Sequence, residues 1–368
     1  MSKYVLVPDS FKGTMTSREI CEIMQHAIER IDSDAKIISV PVADGGEGSV
    51  DAFLSALGGK RKAITVTGPH FEKLSSSYGI TDDGTAVIEM SACAGLPLVY
   101  GNKNPEITTT YGVGARSGAK RIVIGLGGSA TNDGGCGAAA AAGIKFYDKS
   151  GKSFIPVGRT LKDIASIDYS GLDSALSGVS ISAMCDVDNP LLGETGAANV
   201  FGPQKGANVA MIARLDAGLK HLAEVSGKAK LSSMPSAGAA GGMGFGMMAF
   251  FNCPLQMGID GLLDIIDFES ILAGADLVLT GEGRIDPQSM RGKTVIGVAR
   301  RASKCGVPTI AVVGDIADGI ESAYDLGVSA IFSINRVAME RKLIKLRAKS
   351  DMEATVENII RAVKAVKL

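Results

Sequence analysis

Four stretches of this chain gather carboxylates, cations and glycine at spacings suited to phosphate chemistry. They are Pro8-Asp9-Ser10-Phe11-Lys12-Gly13, Ala43-Asp44-Gly45-Gly46-Glu47-Gly48, the run 125–135 with its five glycines, and Thr280-Gly281-Glu282-Gly283-Arg284-Ile285-Asp286. Glycine lets backbone N–H groups turn toward an anion, while Asp, Glu, Lys and Arg can hold a metal or move a proton. A fifth stretch, Cys185-Asp186-Val187-Asp188-Asn189-Pro190, sets two carboxylates at i and i+2. On an extended segment these point the same way and could bind Mg²⁺ or accept a hydroxyl proton. An Asx turn before the proline would use the same residues. Phe201-Gly202-Pro203-Gln204-Lys205-Gly206 adds a lysine that suits a phosphate or a solvated surface.

These turns need elements to hold them, and the pattern supplies strands. Tyr4 to Val7 is a short apolar strand, Thr16-Ser17-Arg18-Glu19 is a capping box, and Ile20, Met24, Ala27 and Ile28 recur at helical spacing. The unit repeats with a strand at 36–40 and a helix carrying Val50, Phe53, Leu54 and Leu57. The same rhythm returns late in the chain: a strand at 276–279, a helix from about Thr294, strands at 308–313 and 328–334, and a basic amphipathic helix from about Asp351. In α/β sheets ligands bind beyond the carboxyl ends of strands, which is where each acidic turn falls. The expected fold is α/β with two domains. A discontinuous Rossmann-like parallel-sheet domain is formed by 1–60 plus 273–368, and an α/β domain, 61–272, is inserted. Asp9, Asp44 and Glu282 would face one crevice.

In the middle segment, the strand 121–124, the glycine loop 125–135 and a helix beginning near Ala138 read as an anion site, since unpaired N–H groups at a helix start favour phosphate. A turn requiring positive φ would read the same. The loop lacks the Gly-Lys-Ser/Thr ending of a Walker A motif. Gly125-x-Gly127-x-x-Ala130 matches a dinucleotide fingerprint in form, but Gly134-Gly135 interrupts the helix that should follow. The segment 238–246 allows either close backbone approach or a small-residue helix contact.

With 368 residues, a net charge of −1 and no basic stripe, the chain is a poor partner for nucleic acid or anionic membrane. Six scattered cysteines without a C-x-x-C pair suit free thiols in a reducing cytoplasm, and three histidines without ligand spacing disfavour zinc. No apolar run reaches the roughly 18 residues that span a bilayer, and the strand pattern starts too early for a signal peptide.

Seven stretches in order resemble the bacterial type I glycerate kinases along the whole chain: 8–13, 43–48, 127–135, Asp186-Val187-Asp188-Asn189-Pro190-Leu191, Gly202-Pro203-Gln204-Lys205-Gly206-Ala207, 238–244, and 280–284 with Gly292-Lys293. The resemblance implies ATP-dependent phosphorylation of D-glycerate, usually to 2-phosphoglycerate, in a two-domain α/β protein that uses Mg²⁺. It leads to these expected roles. Gly127, Gly128, Ser129, Thr131, Asn132, Gly134 and Lys205 bind nucleotide phosphates, and Ser10, Lys12 and Arg284 bind glycerate. Asp188 is the base with Asp44 second, and Lys205 or Lys293 neutralises the transferring group. The metal lies near Asp186 or Glu282, and the site is an interdomain cleft. A nicotinamide-dependent hydroxyacid dehydrogenase and a non-catalytic sugar-acid sensor are the alternatives, and homo-oligomerisation is left open.

Overall fold

The computed structural model describes residues 1–11, 13–42, 48–114, 119–172 and 176–366. Tyr4, Val5, Leu6 and Val7 are all fully buried. A strand apolar on every residue must be covered on both faces, as a central parallel strand is. Strand Lys3–Pro8 pairs in parallel with Leu277–Gly281 on one side and Lys36–Ser39 on the other. Thr309–Val313 and Ala330–Ser333 extend the sheet beyond Leu277–Gly281. The two chain ends thus share one five-stranded parallel sheet.

Successive residues of a strand serve opposite faces. Val312 joins the core built by helices Ser17–Ile31 and Arg341–Val366, through Met24, Ile28, Met352 and Val356. Ala311 and Val313 join the core of helix Thr294–Lys304, through Val295, Ile296 and Ala299. The capping box forms as expected, with Glu19 N donating to Thr16 Oγ1 at 3.2 Å and Thr16 N to Glu19 Oε2 at 2.8 Å. The last helix begins at Arg341, not near 351. Its first turns hold Leu343 and Leu346 exposed, so no buried stripe marks them in sequence.

The chain divides into two compact units, Met1–Ala43 with Asp51–Ala56 and Gly258–Leu368, and Asp44–Val50 with Leu57–Met257. Residues 258–272, grouped with the insert in the sequence reading, fall in the first unit. Arg301 explains why: its guanidinium pairs with Asp264 and Glu269, tying helices Gly258–Ile265 and Phe268–Leu272 to helix Thr294–Lys304.

The second unit carries a six-stranded mixed sheet. Leu255–Met257, Ser180–Cys185, Arg121–Gly125 and Thr85–Glu89 run parallel, and the hairpin Lys73–Ile80 and Lys60–Thr67 continues it antiparallel. Helix Ala239–Phe251 packs Met243 and Met247 into one core of this unit and Phe245 and Phe250 into another, but residues 240–242 are left-handed within it. Among the described residues no helix is long and apolar enough to cross a membrane.

Candidate active site

In the first unit the strand order reverses between Lys3–Pro8 and Leu277–Gly281, the switch point where open α/β sheets place ligands. Register sets Pro8 opposite Gly281. Asp9 and Glu282 therefore leave the sheet side by side, with Asp9 N donating to Gly281 O at 2.8 Å. Asp9 is held from two directions. Its Oδ1 accepts from Ser10 N at 2.6 Å and its Oδ2 from the Thr294 hydroxyl at 3.2 Å, at the start of helix Thr294–Lys304.

Glu282 is 7% exposed, and its Oε1 has no hydrogen-bond partner among the described residues. Burial pushes its carboxyl up to about 7. The Ser289 hydroxyl and the Lys293 ammonium pull it back, and the Asp9 and Asp286 carboxylates push it further. Lys293 caps helix Thr294–Lys304 with its side chain exposed. Arg284 sits on a two-residue ribbon, Arg284–Ile285 against Asp315–Ile316, anchored by buried Ile285. Its Nε is 3.9 Å from Asp315 Oδ2, and both side chains are about 60% exposed. Such a screened pair is worth at most about 1 kcal/mol, so the guanidinium can exchange it for a ligand. Lys12 and Asp44 lie outside the described residues.

In the second unit the loop after Arg121–Gly125 proves largely internal. The N–H groups expected to greet a phosphate are already taken. Asp133, fully buried, accepts from Gly135 N at 3.2 Å and Gly137 N at 3.3 Å, and from Thr110 N and Oγ1 at 2.7 and 2.9 Å. Thr110 Oγ1 also accepts from Ala138 N at 3.0 Å. The short helix Cys136–Ala141 is thus capped by the protein's own carboxylate. Burial raises the Asp133 pKa, and these hydrogen bonds oppose it.

Lys205 is equally internal. It is 2% exposed, and its Nζ donates to Ser129 Oγ at 2.8 Å and to Thr131 O at 2.7 Å. Burial lowers its pKa to about 7, with Asp133 opposing. Thr131 and Asn132 have no exposed surface, and Thr131 Oγ1 and both Asn132 amide atoms lack partners among the described residues. Gly134 is buried, whereas Gly127 is half-buried and Gly128, at φ +72°, is exposed. The loop therefore offers a ligand its 127–128 edge. Its helix starts at Cys136, so the form of a dinucleotide fingerprint ending at Ala130 has no helix to serve.

Asp186 and Asp188 follow Ser180–Cys185 and are both exposed. Among the described residues no group of three or more His, Cys, Asp or Glu is placed to hold a metal. Glu89 had no role from sequence. Its Oε1 accepts from Val50 N at 2.7 Å and Gly48 N at 3.1 Å, capping helix Ser49–Leu57, whose N-cap glycine has no side chain to do so. An acid directly after the apolar run Ala86-Val87-Ile88 was the available signal.

A model of the glycerate kinase family matches residues 4–364. The chain is 44% identical to a glycerate kinase of Bacillus subtilis (strain 168), covering 99% of this chain and 98% of that one. It is 45% identical to a glycerate 2-kinase of Escherichia coli (strain K12), covering 90% of each. A crystal structure assigned as glycerate kinase 2 from Salmonella typhimurium LT2 superposes with a TM-score of 0.85 at 38% identity, over 100% of this chain and 99% of that one. Two α/β units, acidic turns at strand ends and matches over the full length agree: the chain belongs to the glycerate kinase family and is an enzyme that phosphorylates glycerate.

Proposed function

We propose that the enzyme transfers the terminal phosphoryl group of Mg²⁺-bound ATP to the 2-hydroxyl of D-glycerate, giving 2-phosphoglycerate. The observation that carries this reading is the switch-point carboxylate Glu282, buried beside Asp9, Ser289 and Lys293 with one oxygen that has no partner among the described residues. The name of the Escherichia coli relative supports the 2-position.

These groups fit Mg²⁺, which takes one or two carboxylates and completes its shell with water and phosphate oxygens. Glu282 Oε1 is the donor in want of a partner. Asp9 is the second carboxylate near it, and Asp186 is the alternative ligand. When bound, the ion would neutralise charge on the phosphate oxygens. Phosphoryl transfer otherwise rests on positioning and electrostatics. Ser10, Lys12 and Arg284 hold glycerate, Arg284 through a forked pair with its carboxylate. Asp188 accepts the hydroxyl proton, with Asp44 second. Lys293 neutralises the transferring group. Gly127 and Gly128 present backbone to the nucleotide phosphates, and Ser129, Thr131, Asn132, Gly134 and Lys205 hold that edge in place.

One interdomain cleft for these groups is part of the proposal, as is a cytoplasmic location, which the six free cysteines support. Phosphorus NMR of the product from ATP, Mg²⁺ and D-glycerate tests the reading. A 2-phosphoglycerate resonance is expected. A 3-phosphoglycerate resonance would move the acceptor hydroxyl, and unconsumed ATP would overturn the kinase reading.

A further inference from the structure

Asp9 reaches the switch point with its backbone already fixed. Its N–H donates to Gly281 O at 2.8 Å, and the buried Ser17 hydroxyl donates to Pro8 O, just before it, at 2.6 Å. A side chain on such a backbone could still turn, but both carboxylate oxygens are held. Oδ1 accepts from Ser10 N at 2.6 Å and Oδ2 from Thr294 Oγ1 at 3.2 Å. The Ser10 contact joins chain neighbours and travels with the loop. The Thr294 contact spans 285 positions and ties the carboxylate to a different element.

Thr294 spends its hydroxyl on Asp9 and not on its own helix. It is the first residue of helix Thr294–Lys304. A threonine hydroxyl at a helix start ordinarily caps it from the position before. Here that position is Lys293, whose side chain makes no cap. Thr294 is 6% exposed, so its hydroxyl needs a partner inside the protein, and Asp9 supplies it. The helix is a rigid support. Val295, Ile296 and Ala299 anchor its buried face. A Cβ on Gly297 would lie 2.2 Å from Ile259 Cγ2, so the helix lies hard against Gly258–Ile265 and has no room to shift that way. Groups carried on packed helices hold a geometry better than groups on loops.

We infer that Thr294 is a positioning residue, whose hydroxyl fixes the rotation of the Asp9 carboxylate so that it meets the cosubstrate's metal together with Glu282; this rests on the Mg²⁺ reading above. Each carboxylate oxygen has two lone pairs, so both Asp9 oxygens can still face a cation after accepting these hydrogen bonds. Glu282 Oε1 has no partner among the described residues. One carboxylate is thus oriented and the other open. A carboxylate already held by its neighbours has less freedom to lose on binding a metal. Thr294 acts only through Asp9.

Mn²⁺, a paramagnetic substitute for Mg²⁺, tests this by electron paramagnetic resonance titration of the enzyme in the presence of ADP. Thr294→Val keeps the shape and removes the hydroxyl, and should weaken Mn²⁺ binding by about 10- to 100-fold. Thr294→Ser keeps the hydroxyl and should bind as wild type does. Asp9→Asn should weaken binding as well, and adding Thr294→Val to it should cost nothing further, because both changes act on one carboxylate. Wild-type affinity in a folded Thr294→Val, with Asp9→Asn weakened, overturns the positioning role and leaves the metal reading standing. Wild-type affinity in Asp9→Asn overturns the metal reading and the inference with it. Additive losses in the double variant, or no rescue by serine, would give Thr294 a packing role and overturn the inference alone. Should the valine variant fail to fold, Thr294→Ala is titrated in its place, with the same outcomes deciding.

Discussion

Lys205 donates a 2.7 Å hydrogen bond to the carbonyl oxygen of Thr131, a residue 74 positions earlier in the chain. A buried ammonium thus ties the second unit's glycine loop to a turn far away in sequence. Lysine is rarely buried unless paired, and here Ser129, Thr131 and the nearby Asp133 supply the compensation.

That tie carries a pH signature. The Lys205 pKa falls from 10.5 to about 7 on folding. Below about 7 the amine is charged in both states and burial costs most. Between about 7 and 10.5 the unfolded chain binds the proton and the native state releases it, so stability rises with pH. Urea midpoints of wild type should therefore gain on those of Lys205→Met between pH 7 and 9. A constant difference would mean that the ammonium keeps its proton. Loosening the loop should also lower kcat/KM for ATP by about 10- to 100-fold.

Asp133 is the second anchor of that loop. Its carboxylate accepts four hydrogen bonds, from Thr110 N and Oγ1, Gly135 N and Gly137 N. An asparagine would turn donors toward donors. Asp133→Asn is expected to destabilise the fold by about 3 kcal/mol in urea titrations. A loss under about 1 kcal/mol would show that the amide finds other partners.

Backbone strain sits opposite the same loop. Ala240 has φ +55°, followed by Gly241 at +68° and Gly242 at +87°. Ala240→Gly should stabilise the enzyme by about 1 kcal/mol, because alanine is disfavoured in this region. Gly241→Ala should prevent folding, since its Cβ would lie 1.9 Å from Thr131 O. Thermal melts of the two variants should move in opposite directions, and a shared direction would refute the strain argument.

Asp188 is exposed in the turn after Ser180–Cys185 and is proposed as the base. Asp188→Asn should keep the fold and ATP affinity while lowering kcat by at least about 10²-fold. Near-normal turnover would pass the role to Asp44.

Arg284 tests the glycerate end. Its pairing with Asp315 is long and exposed. Arg284→Lys should raise KM for glycerate more than KM for ATP, because an ammonium cannot make the forked pair. A larger effect on ATP would place Arg284 on the phosphates instead.

The strands of the first unit, the capping box and the turns at Asp9 and Glu282 were legible in the sequence because they rest on local rules. Alternation and helical spacing mark the elements, and glycine beside acids marks their ends. The apolar run Tyr4 to Val7 reads as a strand, and the structure covers it on both faces. Tertiary structure decided what each turn is for. The same glycine-rich wording served two outcomes. At Gly281-Glu282 the chain leaves a switch point and keeps a carboxyl oxygen with no partner among the described residues. At 129–135 it turns inward, where Asp133 and Lys205 satisfy groups that a phosphate was expected to meet. Burial and hydrogen-bond partners come from residues such as Thr110 and Lys205 that lie far away in sequence, so no local spacing could report them. The start of the last helix was hidden as well, because the exposed Leu343 and Leu346 show no buried stripe.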